Sequence, residues 1–346
     1  MHKHTTIPRR LLGVALTLVM TMSLLPMAAS AEGTDISIDE TNFPDQIFRA
    51  YVAEQFDTNK DLILSEAERG QVTHIDVSKR GIADLQGIEV FPALEWLNCD
   101  SNALSALDVT QNPALKMLDC DNNQLTTLDV SANPALRQLN CSHNGLSTLD
   151  VTHNPALSQL GCGDNQLTQL DVSKNEKLYH LYCYNNQLTA LNTSANPKLS
   201  SLSCGSNQLS ALDVTSCTAL DKLDCDKNQL TTLDVTKNPN LKNLYCNENQ
   251  LSTLDVTQNP ALAGLFCSLN QLTGLDVTRN PELDYLYCYM NPLNSLDVSQ
   301  NPKLLSLHCN TTGLTELDVT HNAALRELDC MGNQLTALDL THNPAL

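Results

Sequence analysis

The chain has 346 residues and carries 20 Lys and Arg against 39 Asp and Glu, a formal charge of −19. Lys3, Arg9 and Arg10 precede an apolar run from Leu11 to Met27 and then Ala29-Ser30-Ala31, the layout of a Sec signal peptide. That predicts a leader over residues 1–31, cleaved after Ala31, and an extracellular or cell-surface product. Without the leader about 17 basic residues face 39 acidic ones, a charge of about −22, which repels phosphate backbones and excludes nucleic acid as a partner. No later segment is apolar for long enough to span a bilayer, so no transmembrane segment is expected once the signal is removed.

Residues 36–71 read as a helical N-terminal cap. From Phe43 to Phe56 the pattern is helix-like, with Ile47, Phe48, Tyr51, Val52 and Phe56 on one apolar stripe. The stretch leads into Asp57 to Glu68 and a second short helix. This dodecapeptide resembles a calcium-binding EF-hand loop, with Asp57, Asn59, Asp61, Ser65 and Glu68 at its first, third, fifth, ninth and twelfth positions and the Ile63 carbonyl at the seventh. The resemblance implies calcium as a cofactor, held by hard oxygen ligands. Leu62 stands where the family has a glycine with positive φ, so the turn is expected to be strained and the affinity weak. The alternative is a helix-loop-helix cap that keeps the shape without the ion.

Residues 72–346 are repetitive. A 22-residue opening repeat, 72–93, has Val77 at the position that cysteine takes afterwards. Twelve 21-residue repeats follow over 94–345, with cysteines at 99, 120, 141 and onward to 330 at a constant step of 21. The consensus is L-x-x-L-x-C-x-x-N-x-L-x-x-L-D-V-x-x-N-P. A fixed period in this range means a solenoid, since one repeat cannot bury its apolar faces alone. Leu118 and Cys120, two apart, face the same side of a short strand, with Leu115, Leu125, Leu128 and Val130 folding in behind. The predicted fold is an α/β solenoid, a leucine-rich-repeat horseshoe with a parallel concave β-sheet, whose twelve rungs span about 55 to 60 Å at about 4.8 Å each.

Thirteen cysteines in a secreted chain would ordinarily form a disulfide framework. Here they occupy an inward leucine position on parallel strands whose Cβ atoms point the same way, so a stack of buried, reduced thiols is expected. Cys217 stands outside this column. It replaces the Asn of the N-P turn, ahead of Thr218, and is expected near the surface as the thiol to test for reactivity. The Asn102, Asn123, Asn144 column, broken at Thr312, is expected to bond backbone as the chain leaves each strand. The Asp108, Asp129, Asp150 column, broken at Asn192, suits Asx-type turns.

The 21-residue L-D-V-x-x-N-P repeat with its cysteine column, behind a helical cap, resembles the cysteine-ladder leucine-rich-repeat proteins of Gram-positive bacteria, most closely the internalin J type, over residues 43–346. The resemblance implies an adhesin-like surface or secreted binder. Leu346 is the first residue of a thirteenth repeat, and the expectation drawn from it is a truncated product of a longer surface protein.

Specificity in such a solenoid lies in the variable positions three before, one before and one after each cysteine. There the aromatic residues gather: Trp96; His180, Tyr182 and Tyr184, with Tyr179 just outside; Tyr245; Phe266; Tyr285, Tyr287 and Tyr289. They fall in two groups about 24 Å apart by rung spacing. Exposed tyrosines give stiff contact area with a polar tip, which points to a protein or glycan ligand, host or bacterial, on this face. An enzyme is excluded on geometry, because His180 and His308 are six rungs, about 29 Å, apart and no base reaches a nucleophile. The competing functions are a cell-wall or polysaccharide-binding module and a structural display spacer.

Overall fold

Residue 35 is the first that the computed structural model describes, and the leader read over residues 1–31 lies outside the described residues 35–346. The cap opens with β1 (Ile36–Ser37), α1 (Gln46–Gln55), β2 (Ile63–Leu64) and α2 (Glu66–Arg69), with β1 antiparallel to β2. Asp45 starts α1 because its Oδ1 accepts from the Ile47 and Phe48 amides at 2.8 and 3.0 Å. Its Oδ2 accepts from the Ala83 amide at 2.9 Å, so one side chain both caps the helix and ties it to the opening repeat.

The helix buries Phe48 and Val52, one turn apart, while Ile47 is 43% exposed. The apolar stripe is therefore narrower than the pattern implied, and Ile47 is not part of it. An edge-to-face contact of Phe43 with Phe48 at 5.8 Å packs the cap, and one of Phe56 with Phe91 at 5.3 Å joins it to the opening repeat.

The solenoid is a 13-stranded parallel sheet in strict chain order. It runs β3 (His74–Asp76), β4 (Trp96–Asn98), β5 (Met117–Asp119), β6 (Gln138–Asn140), β7 (Gln159–Gly161), β8 (His180–Tyr182), β9 (Ser201–Ser203), β10 (Lys222–Asp224), β11 (Asn243–Tyr245), β12 (Gly264–Phe266), β13 (Tyr285–Tyr287), β14 (Ser306–His308) and β15 (Glu327–Asp329). Every strand has three residues with a leucine or Ile75 at its centre, and the centres pair in register, Leu118 with Leu139 and Leu244 with Leu265. The centre points into the core and the two flanking residues out onto the concave face, as the alternation of a strand requires.

Most repeats add six buried apolar groups, for example Leu115, Leu118, Cys120, Leu125, Leu128 and Val130. At about 1.5–3 kcal/mol per fully buried side chain, stacking supplies what a lone repeat lacks. All thirteen cysteines are free thiols; twelve are buried, and Cys330 on the last rung is partly exposed. Burial pushes the pKa of Cys141 and Cys267 up to about 12, so these groups stay protonated and inert.

The chain leaves each strand through a residue in the left-handed region, two past the cysteine, from Ser101 (φ 54) to Thr311 (φ 57). The asparagine that follows holds the bend. Asn207 Nδ2 donates to the carbonyls of Cys183, Cys204 and Gly205 at 3.0, 3.0 and 3.2 Å, and its Oδ1 accepts from the Leu188 amide at 3.0 Å. On the convex side Asp234 Oδ1 accepts from Thr236 N and Oγ1 at 2.9 and 2.7 Å, a closed local turn.

The asparagine of the N-P turn forms a second internal ladder, which the sequence reading placed at the surface. Asn259 is wholly buried and donates to the carbonyls of Val235 and Asn238 at 2.9 and 2.8 Å. Cys217 occupies the same position and is likewise wholly buried, with its thiol 3.9 Å from the Thr193 carbonyl and its pKa raised by burial. It is not a surface thiol, because the turn it belongs to folds inward.

Candidate functional site

The flanking positions of the strands carry the aromatic side chains, and the register decides which of them meet. Tyr245, Phe266, Tyr287 and His308 are the third residues of β11 to β14 and pair directly across the sheet. Tyr245 stacks on Phe266 with centroids 4.5 Å apart and planes 3° from parallel. Phe266 meets Tyr287 edge to face at 5.0 Å, and Tyr287 stacks on His308 at 4.1 Å and 5°. The column ends in charges: Lys222 Nζ lies 5.7 Å from the Tyr245 ring centre, and His308 Nε2 is 3.1 Å from Glu327 Oε1. Tyr245 and Phe266 thus join the second group, and His308 is a member that the sequence reading considered only as a base. The signal was available, since all four stand immediately before a cysteine.

These rings cover one another's faces, so what they offer outward is edges and the tyrosine hydroxyls. Tyr285, at the start of β13, is 42% exposed, and Tyr289 lies beyond Cys288 on the same rung. Two further residues complete this end of the face. Leu269 and Met290, 37% and 48% exposed, sit at the left-handed bends of adjacent rungs with φ of 57° and 54°. Other rungs place Ser, Asn, His, Asp, Lys, Glu, Thr or Gly at that bend. A leucine and a methionine there combine a left-handed backbone with exposed apolar surface. Sequence reasoning missed both because the bend position was not among those it inspected.

The first group lies on a single rung. Tyr179, His180, Tyr182 and Tyr184 surround β8, with Tyr179 and His180 at 4.5 Å and His180 and Tyr182 at 5.7 Å. Tyr179 is held from the preceding rung by Gln159 Nε2, which donates to its hydroxyl. Tyr184 lies flat over Gly163, where an added Cβ would come within 2.7 Å of its ring, so only glycine admits this pose. Trp96 stands apart at the N-terminal end, stacked on His74 at 6.0 Å.

In the cap, the loop expected to hold calcium is closed on itself. Asp57 is 4% exposed; its Oδ1 accepts from the Lys60 and Asp61 amides at 2.7 and 3.3 Å and its Oδ2 from that of Leu62 at 2.9 Å. Asn59 Nδ2 donates to Asp61 Oδ2 at 2.9 Å, and Asp61 Oδ1 accepts from the Ile63 amide at 2.9 Å. Glu68 reaches back to Thr58 Oγ1 at 2.6 Å and to the Ser65 amide and hydroxyl at 3.0 and 2.8 Å, completing a capping box on α2. These bonds, the one from Thr58 foremost, lower the Glu68 pKa to about 2. Leu62 adopts φ 63°, the conformation that the EF-hand glycine supplies. Among the described residues, no three His, Cys, Asp or Glu side chains are gathered so as to hold a metal.

No helix among the described residues is long and apolar enough to cross a membrane. No family model matches the chain. Internalin J of Listeria monocytogenes serotype 4b (strain F2365) is 39% identical over 70 residues, which are 20% of this chain and 8% of that protein, so the match spans a small part of its length. Among solved structures, an internalin from L. monocytogenes strain 4b F2365 is 21% identical with a TM-score of 0.81, covers 90% of this chain and 96% of its own, and shares the fold. The functional domain of InlJ from L. monocytogenes, which includes a cysteine ladder, is 36% identical with a TM-score of 0.82 over 91% of this chain and 75% of its own. With a matching solenoid and its own internal column of thiols, the chain belongs to the cysteine-ladder leucine-rich-repeat family of internalin J.

Proposed function

We propose that the chain is a secreted or cell-surface binding protein, adhesin-like in role, that recognises a protein ligand on its concave face. The observation that carries this reading is the end of the face over β11–β14. There a continuous ring column is bordered by exposed Tyr285, Leu269 and Met290, two of them in strained backbone. Large apolar and aromatic groups, rigidly held and rimmed by charge, have the character of interface hot spots. Sugar stacking needs a free ring face, and the column covers its own, so a protein ligand suits this surface better than a glycan. The internalin-type fold of the relatives supports a protein-binding surface protein.

The test replaces Tyr285 and Tyr289 by Ala in one variant and Tyr182 and Tyr184 in another, and scores binding to host cells, bacterial wall material and glycan arrays. Loss of cell binding with circular dichroism unchanged supports the reading. Retained binding to wall or glycan alone favours a polysaccharide module, and no ligand in any arm favours a display spacer.

The twelve-residue spacing and the left-handed Leu62 support a second assignment, calcium in the cap loop, with Glu68 released from its capping bonds to ligate. Millimolar calcium is then expected to raise the melting temperature, and Asp57→Ala to remove that rise; a midpoint indifferent to calcium and chelator sinks it.

A further inference from the structure

The face holds a depression of about 470 Å³ over β5 to β8. Its origin is legible column by column. In the position before the cysteine the residues run Asp119, Asn140, Gly161, Tyr182, paired strand to strand. In the position after it they run Asp121, Ser142, Gly163, Tyr184. Side chains shrink over two rungs between an acidic wall and an aromatic one, which are about 14 Å apart by rung spacing. At Gly161 an added Cβ would meet Asn140 Oδ1 at 2.7 Å, so the floor stays low only while that residue is glycine.

One carboxylate of the acidic wall, Asp119, has no basic partner from within. His143 is the basic group lining the depression, and both its nitrogens are engaged, Nδ1 2.9 Å from Asp121 and Nε2 3.0 Å from Asp164. Asp100 on the preceding rung has Lys79 at 3.6 Å. Asp119 forms no ion pair among the described residues, and burial, then the like charges of Asp121 and Asp100, push its pKa up. Elsewhere the chain already seats its own cations on tyrosine, Arg80 4.9 Å from the Tyr51 ring and Lys222 5.7 Å from that of Tyr245. In the depression the rings are present and Asp119 has no basic partner among the described residues of this chain.

We propose that the depression receives an arginine side chain of a protein partner, its guanidinium pairing with the Asp119 and Asp121 carboxylates and packing against Tyr182 and Tyr184. The proposal rests on the concave-face reading and names the chemistry it selects. Arginine fits better than lysine because a planar fork matches carboxylates and lies flat on a ring, whereas an ammonium does neither and holds its water more strongly. Met117 adds apolar wall for the side-chain stem.

The probe is a fluorescein-labelled (Gly-Arg)4 peptide, with lysine and citrulline counterparts, titrated at physiological salt against the full chain. We expect the citrulline peptide to bind at least tenfold more weakly, and the Asp119→Asn/Asp121→Asn variant to lose at least tenfold for the arginine peptide. The convex pair Asp150→Asn/Asp171→Asn, equal in charge removed, should change affinity by less than twofold. Circular dichroism, with the fluorescence of Trp96 on the rung just before the depression, checks that the fold is kept. Equal binding of citrulline or lysine peptide, an equal loss in the convex variant, or competitive displacement by calcium overturns the assignment. Cell binding separates this from the wider reading. If Tyr285→Ala/Tyr289→Ala abolishes it while the Asp variant keeps both cell and peptide binding, the arginine site falls and the concave face stands. If the peptide behaves as expected while no concave substitution alters cell binding, the site stands and the wider reading falls.

Discussion

The two ends of the concave face use the same positions of the same repeat and arrive at opposite surfaces. Over β5–β8 the side chains before and after the cysteine shrink to Asn140, Ser142, Gly161 and Gly163 and leave a gap between Asp119 and Tyr182. Over β11–β14 the side chains before the cysteine are all rings, and the gap is filled by their own stacking. Parallel strands hold each column at a spacing close to the centroid separation of two stacked rings, 4.5 Å for Tyr245 and Phe266. Consecutive aromatic rungs therefore consolidate into a wall, and an aromatic rung beside glycine becomes the side of a pocket. The difference teaches that an aromatic residue on this scaffold takes its role from the neighbouring rung.

The largest expected effect breaks that contrast directly. Phe266 touches rings on both sides, so Phe266→Ala should cost about 2 kcal/mol in urea unfolding, from lost area and two ring contacts. Tyr182→Ala, at the edge of an open depression, should cost under about 1 kcal/mol. Equal costs would mean that the ladder contributes no more than an isolated ring, and the distinction between wall and pocket would lose its energetic basis.

A second effect concerns the acidic rung that leads into the aromatic half. Asp226 follows Cys225, and burial first, then the like charge of Asp224, drives its pKa up to about 6 against bonds from Asn247 that act the other way. A carboxyl whose pKa is higher in the folded chain favours folding while protonated. Its contribution is full below pH 3.8, the ordinary value, and is lost as pH rises through about 6. Asp226→Asn keeps an acceptor for the Asn247 amide, 2.5 Å away, without the buried charge. It should raise stability at pH 7 by about 1–2 kcal/mol and flatten the decline between pH 4 and 6.5. Parallel stability curves for the two proteins across that window would show that the carboxyl is relieved by solvent.

How much of this was readable beforehand follows the period. The solenoid, its parallel sheet, the six inward columns and the strand-exit asparagines repeat every 21 residues, and repetition converts a weak single-site pattern into a firm one. Periodicity says which residues are equivalent and says less about which way a turn folds, which is why the N-P asparagines and Cys217 were placed outside when they are wholly buried. Ring stacking and the depression arise between repeats, so they depend on comparing the same offset across successive cysteines. His308 was legible that way and His143 was not, since His143 stands at the bend and does its work by bridging Asp121 and Asp164.

The smallest effect is the most discriminating, because stability and binding should move in opposite directions. Met290 holds φ 54° at its bend with 48% of its surface exposed, so the fold gains little from its side chain and bears the cost of its backbone. Asparagine tolerates that conformation and already occupies it at Asn122 and Asn185. Met290→Asn should therefore raise the unfolding free energy by about 0.5–1 kcal/mol while weakening attachment to the ligand of the β11–β14 surface. A variant that is more stable and binds as before would reduce Met290 to an incidental occupant of the bend. One that is less stable would show that its side chain packs usefully against Tyr289 and Leu269, and the argument from strain would not hold.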